Sequence, residues 1–161
     1  MRPSSKAVGP KGHVYAGALE GKFREAAAAI AADPVYANVG VVGLDPAAMA
    51  TLQPLDLIWT SENYHDLHLT RIHLDVGAMD RLWPSPLKPS GVLIVVDHAA
   101  LPNAPVTETA DALHRIDPAA TSNRSWPQAS SWMVNPRPCA TRPALIRGLT
   151  DQFAYRFKKP G

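Results

Sequence analysis

The chain has 161 residues, 46% of them apolar, which suits one domain with a core of its own. Lysine and arginine total 16 against 14 aspartates and glutamates, a net charge of +2, so there is no electrostatic case for nucleic acid or a membrane surface as partner. The single cysteine, Cys139, excludes an internal disulfide and a cysteine-rich zinc site.

No apolar run approaches the roughly 20 residues of a membrane span. The segment Met1-Arg2-Pro3-Ser4-Ser5-Lys6 lacks the apolar centre of a secretion signal, so the cytoplasm is the expected compartment. Proline, at 16 residues, has about twice its usual share.

In chain order, Gly9-Pro10-Lys11-Gly12 is turn chemistry, and His13 to Gly17 then reads as a short strand. Gly21 to Ala32 is alanine-rich and reads as a helix, stopped by Asp33-Pro34. Asn38 to Leu44 is a second, buried strand, and Leu55 to Ser61 a third. Val76 to Leu82 fits a helix, ended by Pro84 and Pro86. Gly91 to Asp97 is the clearest strand: continuous, β-branched and preceded by Pro89-Ser90. Thr107 to Ile116 fits a helix with Thr107 as its N-cap, which places His114 and Arg115 on that helix as a surface or packing pair. Asp151 to Lys158 alternates apolar and polar residues, as a half-exposed last strand does. Trp59 and Tyr155 read as core residues.

Short apolar strands alternating with helices predict an α/β fold, a mostly parallel sheet covered on both faces, with an antiparallel last strand. There is no internal repeat and no sign of a second domain, so residues 1–161 read as one. Ser122 to Pro143 breaks the pattern: it has no acidic residue, two of the four tryptophans, the only cysteine, and neither helical nor strand periodicity. A loop of that length inside a compact domain calls for an explanation.

Three stretches together resemble a family of predicted bacterial class I S-adenosylmethionine-dependent methyltransferases. Lys6 to Ala16 (KAVGPKGHVYA) resembles the segment that follows the glycine loop in that family. Asp56 to His68 (DLIWTSENYHDLH) resembles its fourth strand and the loop after it. Leu87 to Ala100 (LKPSGVLIVVDHAA) resembles its LKPGG turn and fifth strand, with Ser90 in place of the second glycine. Leu113 to Asp117 (LHRID) and Ile146 to Pro160 (IRGLTDQFAYRFKKP) also match, the latter as the closing strand.

The resemblance implies a Rossmann-like sheet, S-adenosylmethionine as cofactor, and a small-molecule methyl acceptor as substrate. It also implies a D-x-G-x-G-x-G loop after a first strand, upstream of the match. That pattern does not occur in the chain. The chain is therefore expected to be an N-terminally truncated domain whose central first strand is missing, with weak or absent cofactor binding. Two strand edges are then left to close on each other or to pair with a second copy as a homodimer. Thr121 to Pro143, read in another frame with suitable codons, gives an apolar helix followed by a GFxL strand. A pair of compensating frameshifts is the expectation for the irregular residues 121–145.

In an open parallel sheet, ligands bind beyond the carboxyl ends of the strands. Ser61 to His68 and Asp97-His98 lie just past two such ends. Methyl transfer needs reactants held in line and, for many acceptors, a base. His65, Asp66 and His98 are the candidates for that base, because histidine titrates near neutrality and carboxylates accept protons. Ser61, Glu62, Asn63, Tyr64 and Asp97 are the candidates for binding the cofactor. Glu20 is the nearest acid for the ribose hydroxyls, or else a solvated carboxylate at a helix start. His65, His98 and Asp97 have plainer readings as strand-end caps or turn residues. No metal belongs to the methyltransferase reading. Two other classes compete with it: a non-catalytic binding or assembly module, and a metal-dependent hydrolase using His65, Asp66, His68, His73 and His98, for which the spacing His65-x-x-His68 is a weak signal.

Overall fold

The computed structural model describes residues 2–122 and 152–159. The expected frameshift segment, and with it Cys139, lies almost wholly outside the described residues. The chain forms two compact units, Met1–Leu52 and Gln53–Gly161. Among the described residues no helix is long and apolar enough to cross a membrane.

The first unit begins with a short helix, α1 (Arg2–Ala7), and the turn at Gly9–Gly12, closed by the Gly12 amide donating to the Gly9 carbonyl at 3.2 Å. Strand β1 (Val14–Gly17), helix α2 (Lys22–Ala31), strand β2 (Val39–Val42) and helix α3 (Pro46–Ala50) come next. β1 and β2 pair in parallel from Val14↔Val39 to Gly17↔Val42. Ala16, Ala18, Ala27 and Val39 form the core, with Val14, Ala31, Tyr36 and Val41 packed against it. Small residues dominate: Ala27 comes from α2, Ala16 from β1 and Ala18 from the residues just after it.

Asn38 ties this unit together. Its amide nitrogen donates to the carbonyls of Ser5, Gly9 and Gly12, and its side-chain oxygen accepts from the Ser5 hydroxyl at 2.5 Å. Asp33 and Asp45 each precede a proline and cap the helical turn on its far side, accepting from the amides of Val35 and Ala48. Aspartate at N-cap with proline at N1 is a strong local start signal.

The second unit holds β3 (Leu55–Ser61), α4 (Val76–Leu82), β4 (Leu87–His98), α5 (Val106–Leu113), α6 (Pro118–Ser122) and β5 (Gln152–Lys158). Its sheet has the order β3-β4-β5. β3 runs parallel to β4, and β5 runs antiparallel to it, with Val95 opposite Tyr155. Leu93, Val95 and Asp97 of β4 share a buried face with Phe153, Tyr155 and Phe157 of β5. The continuous apolar run and the alternating run thus both fold as their periods predict.

The opposite face is only half covered among the described residues. Trp59, opposite Ile94, is 64% exposed and Leu57, opposite Val92, is 45% exposed. The expectation that Trp59 is core is therefore corrected: it projects from the half-covered face of β3, which is an edge strand among the described residues. Tyr155 is buried as expected. In place of one continuous sheet the described residues form two, β1-β2 and β3-β4-β5.

The register of β3 against β4 slips at the KPSG segment, where Leu55 faces Leu87 but Leu57 faces Val92. The extra residues bulge outward, and Ser90 there takes a left-handed conformation (φ 64°), one that costs a side chain roughly 1 kcal/mol or more. Gly91 has no such latitude, because a Cβ would lie 2.9 Å from the Lys88 carbonyl and 3.1 Å from that of Leu55. The Lys159 ammonium holds the bulge, donating to the carbonyls of Pro84, Ser85 and Leu87, the last at 2.6 Å.

Candidate functional site at the carboxyl ends of β3 and β4

β3 ends in a tight turn. Glu62 adopts a left-handed conformation (φ 58°), and the Thr60 hydroxyl donates to the Asn63 side-chain oxygen. The Glu62 amide still pairs with the Val96 carbonyl at 2.8 Å, so the turn stays fastened to β4. Ser61, Glu62 and Asn63 are exposed on this rim, and the Glu62 carboxylate also accepts from the side-chain nitrogen of Gln152 at the start of β5. The chain then enters a single 3-10 turn, His65–His68.

Asp97, the last buried residue of β4, is the anchor of this rim. Its carboxylate is wholly buried and accepts three hydrogen bonds, each of 2.7 Å: from the His65 backbone amide, from His65 Nδ1 and from the His98 backbone amide. With a carboxylate at Nδ1, the proton of neutral His65 sits on Nδ1 and its lone pair on Nε2. His65 is itself buried, 3% exposed, so its ring is held in one orientation.

Nε2 of His65 lies 3.4 Å from Asp66 Oδ1, and the same oxygen lies 3.5 Å from Nδ1 of His114. The helical period of the sequence puts His114 on a helix beside Arg115. Instead α5 stops at Leu113 and His114 takes a left-handed conformation (φ 52°). Nor is Thr107 the cap of that helix, because α5 starts at Val106 behind Pro105, which is pre-set to enter a helix but has no side chain to cap it. Past the turn, Arg115, Ile116 and Asp117 are buried, and Ile116 bridges to β4's continuation, its amide donating to the His98 carbonyl and its carbonyl accepting from Ala100. This bridge carries His114 to the rim.

The rim therefore gathers His65, Asp66, Asp97, His98 and His114. The ring of His98 lies 6.1 Å from that of His65, and the ring of His114 lies 5.4 Å from it, edge-on. The other expected residues fall elsewhere. Tyr64 is wholly buried, donates its hydroxyl to Asp80 at 2.8 Å and stacks edge-on against Trp83 and His68. Both Tyr64 and Asp97 thus support the site from behind. Glu20 belongs to the first unit, where it is exposed and paired with Arg24 at 2.5 Å. Among the described residues the histidines and acids close enough to share a metal ion are His65, Asp66 and His114. That set differs from the one built on His65-x-x-His68, since His68 packs on Tyr64 and His73 is an exposed left-handed residue.

A tie from α5 braces the loop. Asp111 accepts from the Thr70 hydroxyl at 2.5 Å and from the Thr70 amide at 3.1 Å. These two bonds, the hydroxyl first, hold the Asp111 carboxyl below the usual carboxylate range. A depressed folded value means that the tie stabilises the protein above the unfolded carboxylate value of about 4. That contribution is lost as the pH falls through the folded value. Melting curves taken from neutrality down to about pH 2 should therefore converge for wild type and Asp111→Asn at the acid end. A constant gap between the two would mean that the tie contributes nothing that depends on Asp111 ionisation.

Comparison with protein-family models, with curated protein sequences and with solved structures finds no match to this chain.

Proposed function

We propose that the chain is a class I S-adenosylmethionine-dependent methyltransferase domain acting on a small-molecule acceptor, with His65 as base and Asp97 as the residue that positions it. The observation that carries this reading is the Asp97–His65 pair at the carboxyl ends of two adjacent parallel strands, where open α/β sheets bind ligands. The antiparallel β5 after the parallel pair fits the same Rossmann-like plan, and so does the order of LKPSG, DH and HRID along the chain.

Ser61, Glu62 and Asn63 fit the needs of a cofactor site, being polar, exposed and just past a strand end. S-adenosylmethionine, held there, supplies an electrophilic methyl group on a sulfonium. The chain's own part is to orient the acceptor and to take up its proton. Nε2 of His65 offers the lone pair, and Asp97 stabilises the imidazolium that results. A base so placed is worth on the order of 100- to 10,000-fold in rate.

Calorimetric titration with S-adenosylhomocysteine tests the reading. Without a D-x-G-x-G-x-G loop to offer backbone amides, the expected dissociation constant is weak, on the order of 0.1 to 1 mM, or about −4 to −5.5 kcal/mol. A folded chain that binds nothing at millimolar ligand is not an active methyltransferase. The second reading, a non-catalytic binding or assembly module, then takes its place. β3 is an edge strand among the described residues and exposes Leu57 and Trp59 on one face; both favour that second reading, with a homodimer formed through the strand edge as its simplest form.

A further inference from the structure

We propose that His65, Asp66 and His114 form a binding site for a divalent cation of the zinc class. The site shares its rim with the methyltransferase reading but does not depend on methyl transfer.

Two imidazoles and one carboxylate suit zinc and its borderline neighbours, whereas magnesium and calcium call for oxygen ligands. Bonds of about 2.0 to 2.2 Å in a tetrahedron put neighbouring ligand atoms about 3.3 to 3.5 Å apart. His65 Nε2 to Asp66 Oδ1 is 3.4 Å, and Asp66 Oδ1 to His114 Nδ1 is 3.5 Å. All three ligand atoms lie within 4.8 Å of one another, so closing the third side of the triangle takes a shift of little more than 1 Å. The His114 side chain, 55% exposed, has room to make that shift.

The surroundings point the same way. A metal-bound histidine characteristically donates its other ring nitrogen to a carboxylate, which fixes the tautomer and strengthens the ligand. Asp97 does this for His65, at 2.7 Å from Nδ1 and with no exposure to solvent. Three protein ligands leave a fourth position open, the pattern of catalytic rather than structural zinc sites. Nε2 of His65 cannot bind the ion and take a proton at once. An ion held there would use His65 as a ligand, and the chemistry it would supply is that of a Lewis acid.

The test is calorimetric titration of the full chain with zinc chloride, with cobalt(II) absorption as a readout of coordination geometry. One equivalent should bind at micromolar or tighter affinity, and cobalt should give tetrahedral bands. His114→Asn, which keeps a residue tolerant of the left-handed conformation, and Asp66→Asn should each weaken binding at least 10-fold. Asp97→Asn, which touches no ion, should weaken it about 10- to 100-fold. A His13→Ala/His73→Ala double variant should bind as wild type does. The proposal is overturned if the folded wild type binds no zinc, if His114→Asn and Asp66→Asn bind as tightly as wild type, or if the double variant loses the ion. The zinc titration and the S-adenosylhomocysteine titration are separate readouts, so either proposal can fail without the other.

Discussion

Asp97→Ala is expected to destabilise the second unit by about 3 kcal/mol or more, because it removes a buried carboxylate that accepts three hydrogen bonds. The carboxylate is 0% exposed and receives the amides of His65 and His98 and the ring nitrogen of His65. Alanine takes the acceptor from the two buried donors of His65 and from the part-buried His98 amide, and each buried orphan costs about 1 to 3 kcal/mol unless water enters. Asp97→Asn keeps one acceptor oxygen but turns an amide toward a donor, so its cost should fall between alanine and wild type. Urea denaturation read by circular dichroism gives both values, provided that the slope is unchanged. An alanine variant within about 1 kcal/mol of wild type would mean that the clamp is not what holds the rim together.

Tyr64 carries the second large effect. It is fully buried, and its ring meets Trp83 at 5.9 Å and His68 at 5.5 Å. Tyr64→Ala should cost about 3 to 5 kcal/mol, the range for an aromatic side chain removed from a packed core. Tyr64→Phe keeps the ring and loses the bond to Asp80, at about 1 to 3 kcal/mol. The phenylalanine variant should still bind S-adenosylhomocysteine with wild-type affinity, because the hydroxyl points into the protein. A large loss of affinity with unchanged stability would restore Tyr64 to a direct role in cofactor binding.

The contrast between Tyr64 and His114 marks how far the sequence can be read. β4 and β5 are legible because GVLIVVD and QFAYRFK carry the two strand patterns, continuous and alternating, that backbone geometry demands. His65 and Asp97 are legible as rim residues because each lies past or at the end of a recognisable strand. That one clamps the other is not legible, since it depends on how far apart two strands lie and not on spacing along the chain. His114 escapes sequence reasoning because the helical period runs through LHRI, and nothing local announces that the helix stops at Leu113. Histidine is no usual left-handed terminator; the long-range bridge at Ile116 imposes that conformation. Trp59 misleads for a related reason. A strand's composition reflects the environment it is built for, while its exposure reflects the neighbours it has.

The Asp97 clamp also makes the loop after β3 uneven in its dynamics. The amides of His65 and His98 are bonded to a buried carboxylate at the end of the central strand β4. Freeing the His65 proton means breaking a bond to a group that solvent does not reach. A few residues on, the Thr70 amide is bonded to the exposed Asp111, and a local opening is enough to free it. Deuterium uptake should therefore be slow at His65 and fast at Thr70, within one short stretch of chain. The clamped end holds its geometry against local opening, while the far end is held by a tie that solvent reaches.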